Sequence, residues 1–477
     1  MNYVTNLLKA KSAERNGSNA VFTINDVVER GICVGCGACS IVDNSIQIER
    51  NEFGSMHASI KSGRLEPASI ADKVCPFSDN SLNEDDLAIK LYDKSKSFDP
   101  RTGYFNDLFY GRRSDDDDIL NSSSGGLTSF VAIELLKQNF VDGIIHVGRD
   151  QSNQREALFK FVTSYSEDDA NQNKKSQYYS LSFDDVLKSI RGNGKRYVFV
   201  GVPCFIKALR NICINDKVLN NQVIFTLGLV CGHLKSSRFA ELLSWQLSVT
   251  PERIQTVDFR KKNRDSTVNA YDFKVVDVDS REYYKTSSSL LGGNWGHAAF
   301  QLQACDYCDD IFAETADAVF GDAWLPQFST YWQGTNIVLV RNNVITDILR
   351  AAKDAGRITL GTLSIDDLCK SQEGNFRHRK EGLVVRLSDD LKAGKKIPLK
   401  RVNLNGIAEI SSKRKKIVRL RKKMAMKSHE YFLIAKRNNN LNLYMDPMRR
   451  LALKMQRLYF KDPFLMRVVR KLRNLLQ

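Results

Sequence analysis

Three apolar runs stand out along the chain: GIIHVG over 143–148, RYVFVGVP over 196–203 and QVIFTLGLV over 222–230. Runs of this length, bounded by glycine and polar residues, predict strands buried on both faces, as parallel sheets require. Between the first two lies DDVLKSIRGNG, an amphipathic helix pattern closed by glycine, and before the first lies SSSGGLTSFVAIELLKQNF, a second helix pattern. Strands alternating with helices predict an α/β domain with an at least partly parallel central sheet. From Val257 to Tyr284 the period shortens to two, as in an antiparallel hairpin, so the expected fold class is mixed, α/β with α+β character.

Outside this block the pattern changes. Residues 1–95 end in the acidic, helix-prone NEDDLAIKLY, and the polar KSKSFDPRTG that follows reads as a linker. The main block then runs over 103–400, and residues 401–477 form a basic amphipathic helical tail. In that tail Leu451, Leu453, Met455, Leu458, Phe460, Phe464, Leu465, Val468 and Leu472 can share one side of helices that Pro463 interrupts.

Charge sharpens the division. Between Lys400 and Gln477 there are 22 Lys and Arg against 4 Asp and Glu, a net +18, which leaves the rest of the chain at −2. A basic segment with apolar positions at helical spacing fits an anionic membrane surface, each cation contributing about 1 kcal/mol there. Basic runs such as KRKKIVRLRKK also bind phosphate backbones, and a solvated helical cap is the plain alternative. The N-terminal residues lack the apolar core of a signal peptide, and no run approaches the roughly 18 apolar residues of a membrane span. The expected location is the cytoplasm, with peripheral contact to the inner membrane face.

In a reducing cytoplasm, ten cysteines in 477 residues point to metal or redox chemistry rather than to disulfides. Cys33, Cys36 and Cys39 in CVGCGACS are spaced to converge on one centre, with Gly35 and Gly37 relieving the loop. The cysteine-proline pair that closes a ferredoxin run is absent nearby and returns as Cys75-Pro76. Closing the longer loop costs only about 2 kcal/mol more, so a displaced fourth ligand is feasible. Structural zinc remains the alternative to an iron-sulfur cluster. Cys204 and Cys231 each follow a predicted strand, and Cys305 and Cys308 form a CxxC pair; these four make a second possible thiolate set, whereas Cys213 and Cys369 read as ordinary buried thiols.

SSSGGLTSF, from Ser122 to Phe130, offers hydroxyls and glycines at a helix start, where backbone N–H groups can cradle a phosphate; a serine cap with flexible glycines is the competing reading. Arg260 and Lys262 in FRKKN suit an anionic substrate or phosphate, or simply a solvated turn.

Several stretches, in order, resemble the beta-subunit family of coenzyme F-420 hydrogenases and dehydrogenases: SSGGLTSFVAIELLKQNFVDGIIHVG, SQYYSLS, GKRYVFVGVPCFIKALRN, LGLVCGHLKSS, VDFRKKN and CDYCDDIFAETADAVFGDAW. The family also contains 7-hydroxymethyl chlorophyll a reductase and many bacterial members, some encoded among polysaccharide biosynthesis genes. The resemblance implies that Cys204, Cys231, Cys305 and Cys308 hold a four-iron four-sulfur cluster beside FAD. It further implies that Cys33, Cys36, Cys39 and Cys75 hold a second such cluster in a ferredoxin-like N-terminal part. FAD would lie against Ser123, Ser124, Gly125, Gly126 and Thr128 and against Ser176, Gln177 and Tyr178, where Gln177 replaces the family's usual lysine beside Lys174 and Lys175.

The implied activity is that of an FAD-dependent iron-sulfur oxidoreductase, fed by a ferredoxin-like donor and acting on a small or lipid-linked substrate such as a nucleotide- or lipid-linked sugar. His233, His297, Tyr178 and Asp322 are the candidate proton donors. Two alternatives stay open: an electron-relay subunit of a larger redox complex, and a zinc-bearing protein that binds nucleic acid, a partner the motifs disfavour.

Overall fold

The computed structural model describes residues 21–61, 63–93, 95–152 and 157–459. Phe460, Pro463, Phe464, Leu465, Val468 and Leu472 of the expected tail pattern lie outside the described residues.

The described residues open with the helix Ile24–Glu29, a short helix Ala38–Val42 carrying Cys39, and the antiparallel hairpin of β1 (Ile46–Arg50) and β2 (Met56–Ile60). The stretch expected as a linker is structured. It contains a small hairpin, β3 (Ser97–Asp99) and β4 (Gly103–Phe105), pinned by the buried Arg341, whose guanidinium donates to the carbonyls of Thr102 (3.0 Å) and Tyr104 (2.7 Å).

The central sheet has eight strands. In chain order these are β5 (Asp107–Arg113), β6 (Gly143–Arg149), β7 (Phe159–Ser164), β8 (Tyr197–Gly201) and β9 (Val223–Leu229). After the separate antiparallel sheet of β10 (Ile254–Lys261), β11 (Asp272–Asp277) and β12 (Glu282–Thr286) come β13 (Ala318–Asp322), β14 (Asn336–Val340) and β15 (Ile358–Thr362). The spatial order is β15-β5-β14-β13-β9-β8-β6-β7. Its heart, β13-β9-β8-β6, is parallel, and the remaining pairs are antiparallel. The three apolar runs thus become β6, β8 and β9, adjacent and parallel, as their two-sided burial requires.

Helices close both faces. Leu127–Lys137 lays Phe130, Val131, Ile133 and Leu135 against Ile144, Val198, Phe225 and Leu227 on one side. On the other, Pro203–Asn215 starts with proline, whose missing N–H costs nothing at that position, and buries Phe205, Ile206 and Leu209. That second core runs without interruption into the N-terminal segment, where Phe22, Val34, Cys36 and Phe77 belong to the same cluster.

The described part of the basic tail carries two helices, Ser412–Arg437 and Asn442–Tyr459, each of which buries apolar side chains against the body. Met424, Phe432, Tyr444, Met448 and Met455 join Phe239, Phe259 and Phe300 in a third core; the Phe300 ring lies 5.5 Å from Phe432 and 5.8 Å from Tyr444. Each large side chain so buried contributes about 1.5–3 kcal/mol. Of the described positions of the apolar stripe expected to meet a membrane, Met455 is buried and Leu451 and Leu458 are half-buried against this core, while Leu453 is exposed. Among the described residues, no helix is long and apolar enough to cross a membrane.

Candidate functional site

The CVGCGAC loop folds as its glycines suggest. Gly35 and Gly37 adopt φ of 70° and 90°. A Cβ on Gly37 would stand 2.2 Å from Ser182 Oγ, and one on Gly35 would stand 2.4 Å from the Met56 carbonyl, so both positions exclude a side chain. The loop docks on the main block through Phe183 N–H and Ser182 Oγ, which both donate to the Cys36 carbonyl at 3.0 and 3.2 Å.

Cys33, Cys36, Cys39 and Cys75 line one small cavity with Ile24, Val27, Ile48 and Phe77. Cys33 Sγ accepts from the backbone N–H of Gly35 and of Ala58, both at 3.4 Å. Burial, and then the neighbouring thiols of Cys33, Cys36 and Cys75, push the Cys39 thiol well above its ordinary range.

The second set is assembled from distant chain positions. Cys204 sits just after β8, Cys231 just after β9, and Cys305 and Cys308 on the segment preceding β13. Burial raises the Cys204 thiol, and Cys308, Cys231, Cys305 and finally Cys36 raise it further. All four thiols of this set therefore lie within electrostatic reach of one another, and Cys36 of the first set lies within reach of Cys204. Leu234 N–H donates to Cys305 Sγ at 3.1 Å. Among the described residues, no three His, Cys, Asp or Glu side chains close on a point as a single metal ion requires. Cys213 and Cys369 are buried apart from both cavities, Cys369 beside Arg101 and Asp99.

No motif or spacing pointed to Arg379. It occupies a π-helical turn, Arg377–Glu381, and is 1% exposed. It donates to the carbonyls of Cys231 (2.8 Å) and Gly232 (3.2 Å), and one terminal nitrogen has no partner among the described residues. Burial acts to lower its pKa, but the thiols of Cys308, Cys231, Cys305 and Cys204 outweigh that and raise it. A cation is thus buried among four sulfurs.

Beside this set opens a cavity of about 660 Å³, the size of a cofactor or ligand chamber. Ser122, Ser123, Ser124, Gly126, Thr128 and Ser129 line one end, Ser176, Gln177 and Tyr178 a side, and Cys231 and His233 the approach to the second thiol set. Of the expected flavin-loop residues, Gly125 does not line it; a Cβ there would meet the Gly111 carbonyl at 2.8 Å, so this glycine serves packing. The start of helix Leu127–Lys137 is less open than a free phosphate cradle, since Leu127 N–H donates to Asn336 Oδ1 at 3.0 Å. Ser123 Oγ accepts from Ser176 N–H at 2.8 Å, which joins the two expected flavin stretches. Gln177 Oε1 is buried with no partner among the described residues. Lys174 and Lys175 line the cavity but pair with Asp118 (3.5 Å) and Asp258 (2.6 Å).

Lys262 does not serve an anion: its ammonium donates to the carbonyls of Ile119 (2.9 Å), Ser124 (2.7 Å) and Gln333, bracing the serine loop from behind. Arg260 lines the cavity and pairs with Asp322 at 2.9 Å. Tyr178 packs edge-on to Trp295 and Phe259, and burial raises its phenol despite Arg260 alongside. Of the four candidate proton donors, His233, Tyr178 and Asp322 line the cavity, whereas His297, on the turn Trp295–His297, does not.

His233 packs against Trp295 with ring centroids 4.5 Å apart and planes inclined by 55°, and its Nδ1 faces an Arg421 N–H at 3.3 Å. A guanidinium only donates, so Nδ1 accepts and Nε2 carries the proton. That Nε2 has no partner among the described residues. Burial, then Lys235 and Arg421, hold the His233 pKa well below its ordinary value. His378 repeats the arrangement, with Nδ1 accepting from Arg386 at 3.3 Å and Nε2 unpartnered among the described residues. An orphan buried donor costs about 1–3 kcal/mol, so two in one chamber mark a place prepared for acceptors.

Residues 108–188 match the family model for the N-terminal part of the coenzyme F-420 hydrogenase/dehydrogenase beta subunit, and residues 194–365 match the model for its C-terminal part. Together they span more than half of the chain. The protein belongs to this family. A beta-subunit family member by sequence, it is 21% identical over 348 residues to a coenzyme F-420-dependent sulfite reductase of Methanocaldococcus jannaschii, covering 69% of this chain and 47% of that protein. The chain thus spans about half the length of this curated relative. Among solved structures it is similar to a chain of the F-420-reducing [NiFe] hydrogenase complex from Methanosarcina barkeri, at 17% identity and a TM-score of 0.47, over 64% of this chain and 98% of that one. The family match ends at residue 365, three positions beyond β15, so Arg379, His378, Arg386 and Arg421 all lie outside it.

Proposed function

We propose that the protein is an iron-sulfur flavoprotein oxidoreductase that passes electrons from a ferredoxin-like donor through two four-iron four-sulfur clusters to FAD and on to an organic substrate. The observation that carries this reading is the continuity of the path: Cys36 lies within electrostatic reach of Cys204, and Cys231 of the same second set lines the large cavity. The residues fit the implied groups. Four thiols lining one small cavity, a second four within electrostatic reach of one another, backbone N–H donors to Cys33 and Cys305, and a cation among the second four would suit cluster ligation and the tuning of its potential. Clusters pass single electrons, and a flavin collects two and delivers a hydride.

The chain's own residues would do the rest. Cys33, partly exposed, is the natural point of electron entry. The braced serine loop and the orphan Gln177 carbonyl oxygen offer contacts for FAD, while His233 presents an Nε2–H and Asp322 holds Arg260 in place. A nucleotide- or lipid-linked sugar is the substrate class expected from the family's bacterial members.

The test is anaerobic purification followed by absorption spectra and quantitation of iron, sulfide, zinc and flavin. About eight irons and one FAD per chain are expected, at four thiolates per cubane cluster. Zinc without flavin would refute the proposal. A second reading, an electron-transfer subunit of a larger redox complex, draws on the family's description as a beta subunit. It predicts full cofactor content with no turnover of an organic substrate in the absence of a partner.

A further inference from the structure

The large cavity has a second end, and its chemistry differs from that of the serine loop. Helix Ser412–Arg437 forms one wall there, presenting Arg414, Ile417, Val418 and Arg421, spaced i, i+3, i+4 and i+7 so that all four face the cavity. The π-helical turn contributes Arg377 and His378, the helix Gly382–Lys392 contributes Arg386, and the segment after β9 contributes His233 and Lys235.

The charges do not balance. Arg414 pairs with Glu381 at 2.9 Å and Arg377 with Glu373 at 2.8 Å. Arg386 has only Asp306, at 3.5 Å, and Asp306 Oδ1 also accepts from Gln301 at 2.8 Å. Lys235, 1% exposed, donates to the Ala299 carbonyl at 2.6 Å and sits over the rings of Phe239 and Trp295, with no carboxylate within ion-pair distance among the described residues. Arg421 meets His233, the Trp295 carbonyl and Gln301 at 3.3–3.5 Å, likewise with no carboxylate, and its Nε has no partner among the described residues. Arg421 is felt by Arg386 and, in opposition, by Asp306, and Lys235 by Arg421 and, in opposition, by Cys305, so the single carboxylate of Asp306 stands against three buried cations. Buried like charges at this density are stable only with an anion among them.

We propose that this chamber binds a phosphate or diphosphate group of the substrate, and that the C-terminal helix Ser412–Arg437 is the element that selects it. Two ammonium or guanidinium groups without carboxylates and two unpartnered imidazole Nε2–H donors, drawn from three separate segments, surround an acceptor from several directions. That arrangement matches a tetrahedral oxyanion better than a flat carboxylate. The arginines of this end and His378 all lie beyond the family-matched residues, so the family models do not describe this end of the chamber. Naming the bound group a substrate's rests on the redox reading above; the anion chamber itself does not.

The probe is inorganic pyrophosphate, titrated calorimetrically into the full-length protein as isolated with its cofactors. Wild type is expected to bind it, Arg421→Gln to weaken binding at least tenfold at unchanged flavin and iron per chain, and Arg421→Lys to retain most of the affinity. If Arg421→Gln lowers the thermal midpoint sharply, Lys235→Met, on a different segment, is expected to give the same loss of binding. Wild-type protein that fails to bind pyrophosphate, or binding that survives both substitutions, overturns the proposal. So does parallel loss of flavin and pyrophosphate binding in Arg421→Gln, which would assign the chamber to the cofactor's own phosphates. Arg421-dependent binding in a preparation free of flavin and iron upholds the chamber and removes the redox reading instead.

Discussion

The two thiol sets are built by opposite means. The first is largely local: three cysteines share one glycine-bent loop, Cys75 arrives from the helix Ile70–Val74, and Cys33 remains partly exposed. The second has no local backbone of its own. Its members come from the ends of β8 and β9 and from the segment before β13, strands that are neighbours only because of the sheet order. The first set has backbone N–H groups near its sulfurs, and the second has a buried guanidinium in addition. Positive charge stabilises the reduced, more negative state of a cluster, so with clusters bound as proposed this contrast would favour electron flow from the first set to the second.

The strongest way to break the comparison is to remove one ligand from each. Cys75→Ser is expected to halve the iron, from about eight to about four per chain, and to leave the flavin in place. Cys231→Ser, at the meeting of the main core and the large cavity, should remove the other half and lower flavin occupancy as well. Iron, sulfide and flavin analysis of both variants decides this, and equal flavin loss in the two would erase the proposed asymmetry.

A smaller effect tests the guanidinium. Arg379→Met should lower the reduction potential of the second cluster alone, by on the order of 60 mV for each 1.4 kcal/mol of lost electrostatic stabilisation in a one-electron couple. Redox titration followed by electron paramagnetic resonance separates the two centres; a shift in both, or in neither, would contradict the assignment of Arg379 to the second set.

The smallest effect is a pH dependence. Burial, then Arg421, push Lys235 down to about 7, opposed by Cys305 nearby. Lys235 is therefore charged below that pH and loses its charge above it. Pyrophosphate affinity should fall as pH rises through about 7, by up to about tenfold. In Lys235→Arg, where the cation persists at all these pH values, this fall should disappear, leaving only the pH dependence of pyrophosphate's own ionisation.

Legibility followed the range of the interaction. The CVGCGAC loop was readable because glycine spacing and thiol spacing act within a few residues, and Gly35 and Gly37 do sit where a Cβ would clash. The apolar runs became β6, β8 and β9 because burial on both faces leaves a composition that survives without context. His297 looked equivalent to His233 in sequence, yet only His233 faces the cavity. The FRKKN cations also diverged. Arg260 lines the chamber, while Lys262 turns behind the serine loop just past the end of β10.

The tail teaches the same lesson at larger scale. Its charge and helical period were evident, and so was an apolar stripe, but a stripe does not name what covers it. The composition and local spacing of this sequence determined its strands, its first thiol loop and the presence of basic C-terminal helices, because each depends on neighbours a few residues away. Only the tertiary structure decided that Cys204, Cys231, Cys305 and Cys308 come within electrostatic reach of one another, that Arg379 lies beside them, and that Arg421 reaches the cavity beside His233. Those contacts join residues tens to hundreds of positions apart, and they arise from strand order and helix docking, which no local pattern encodes.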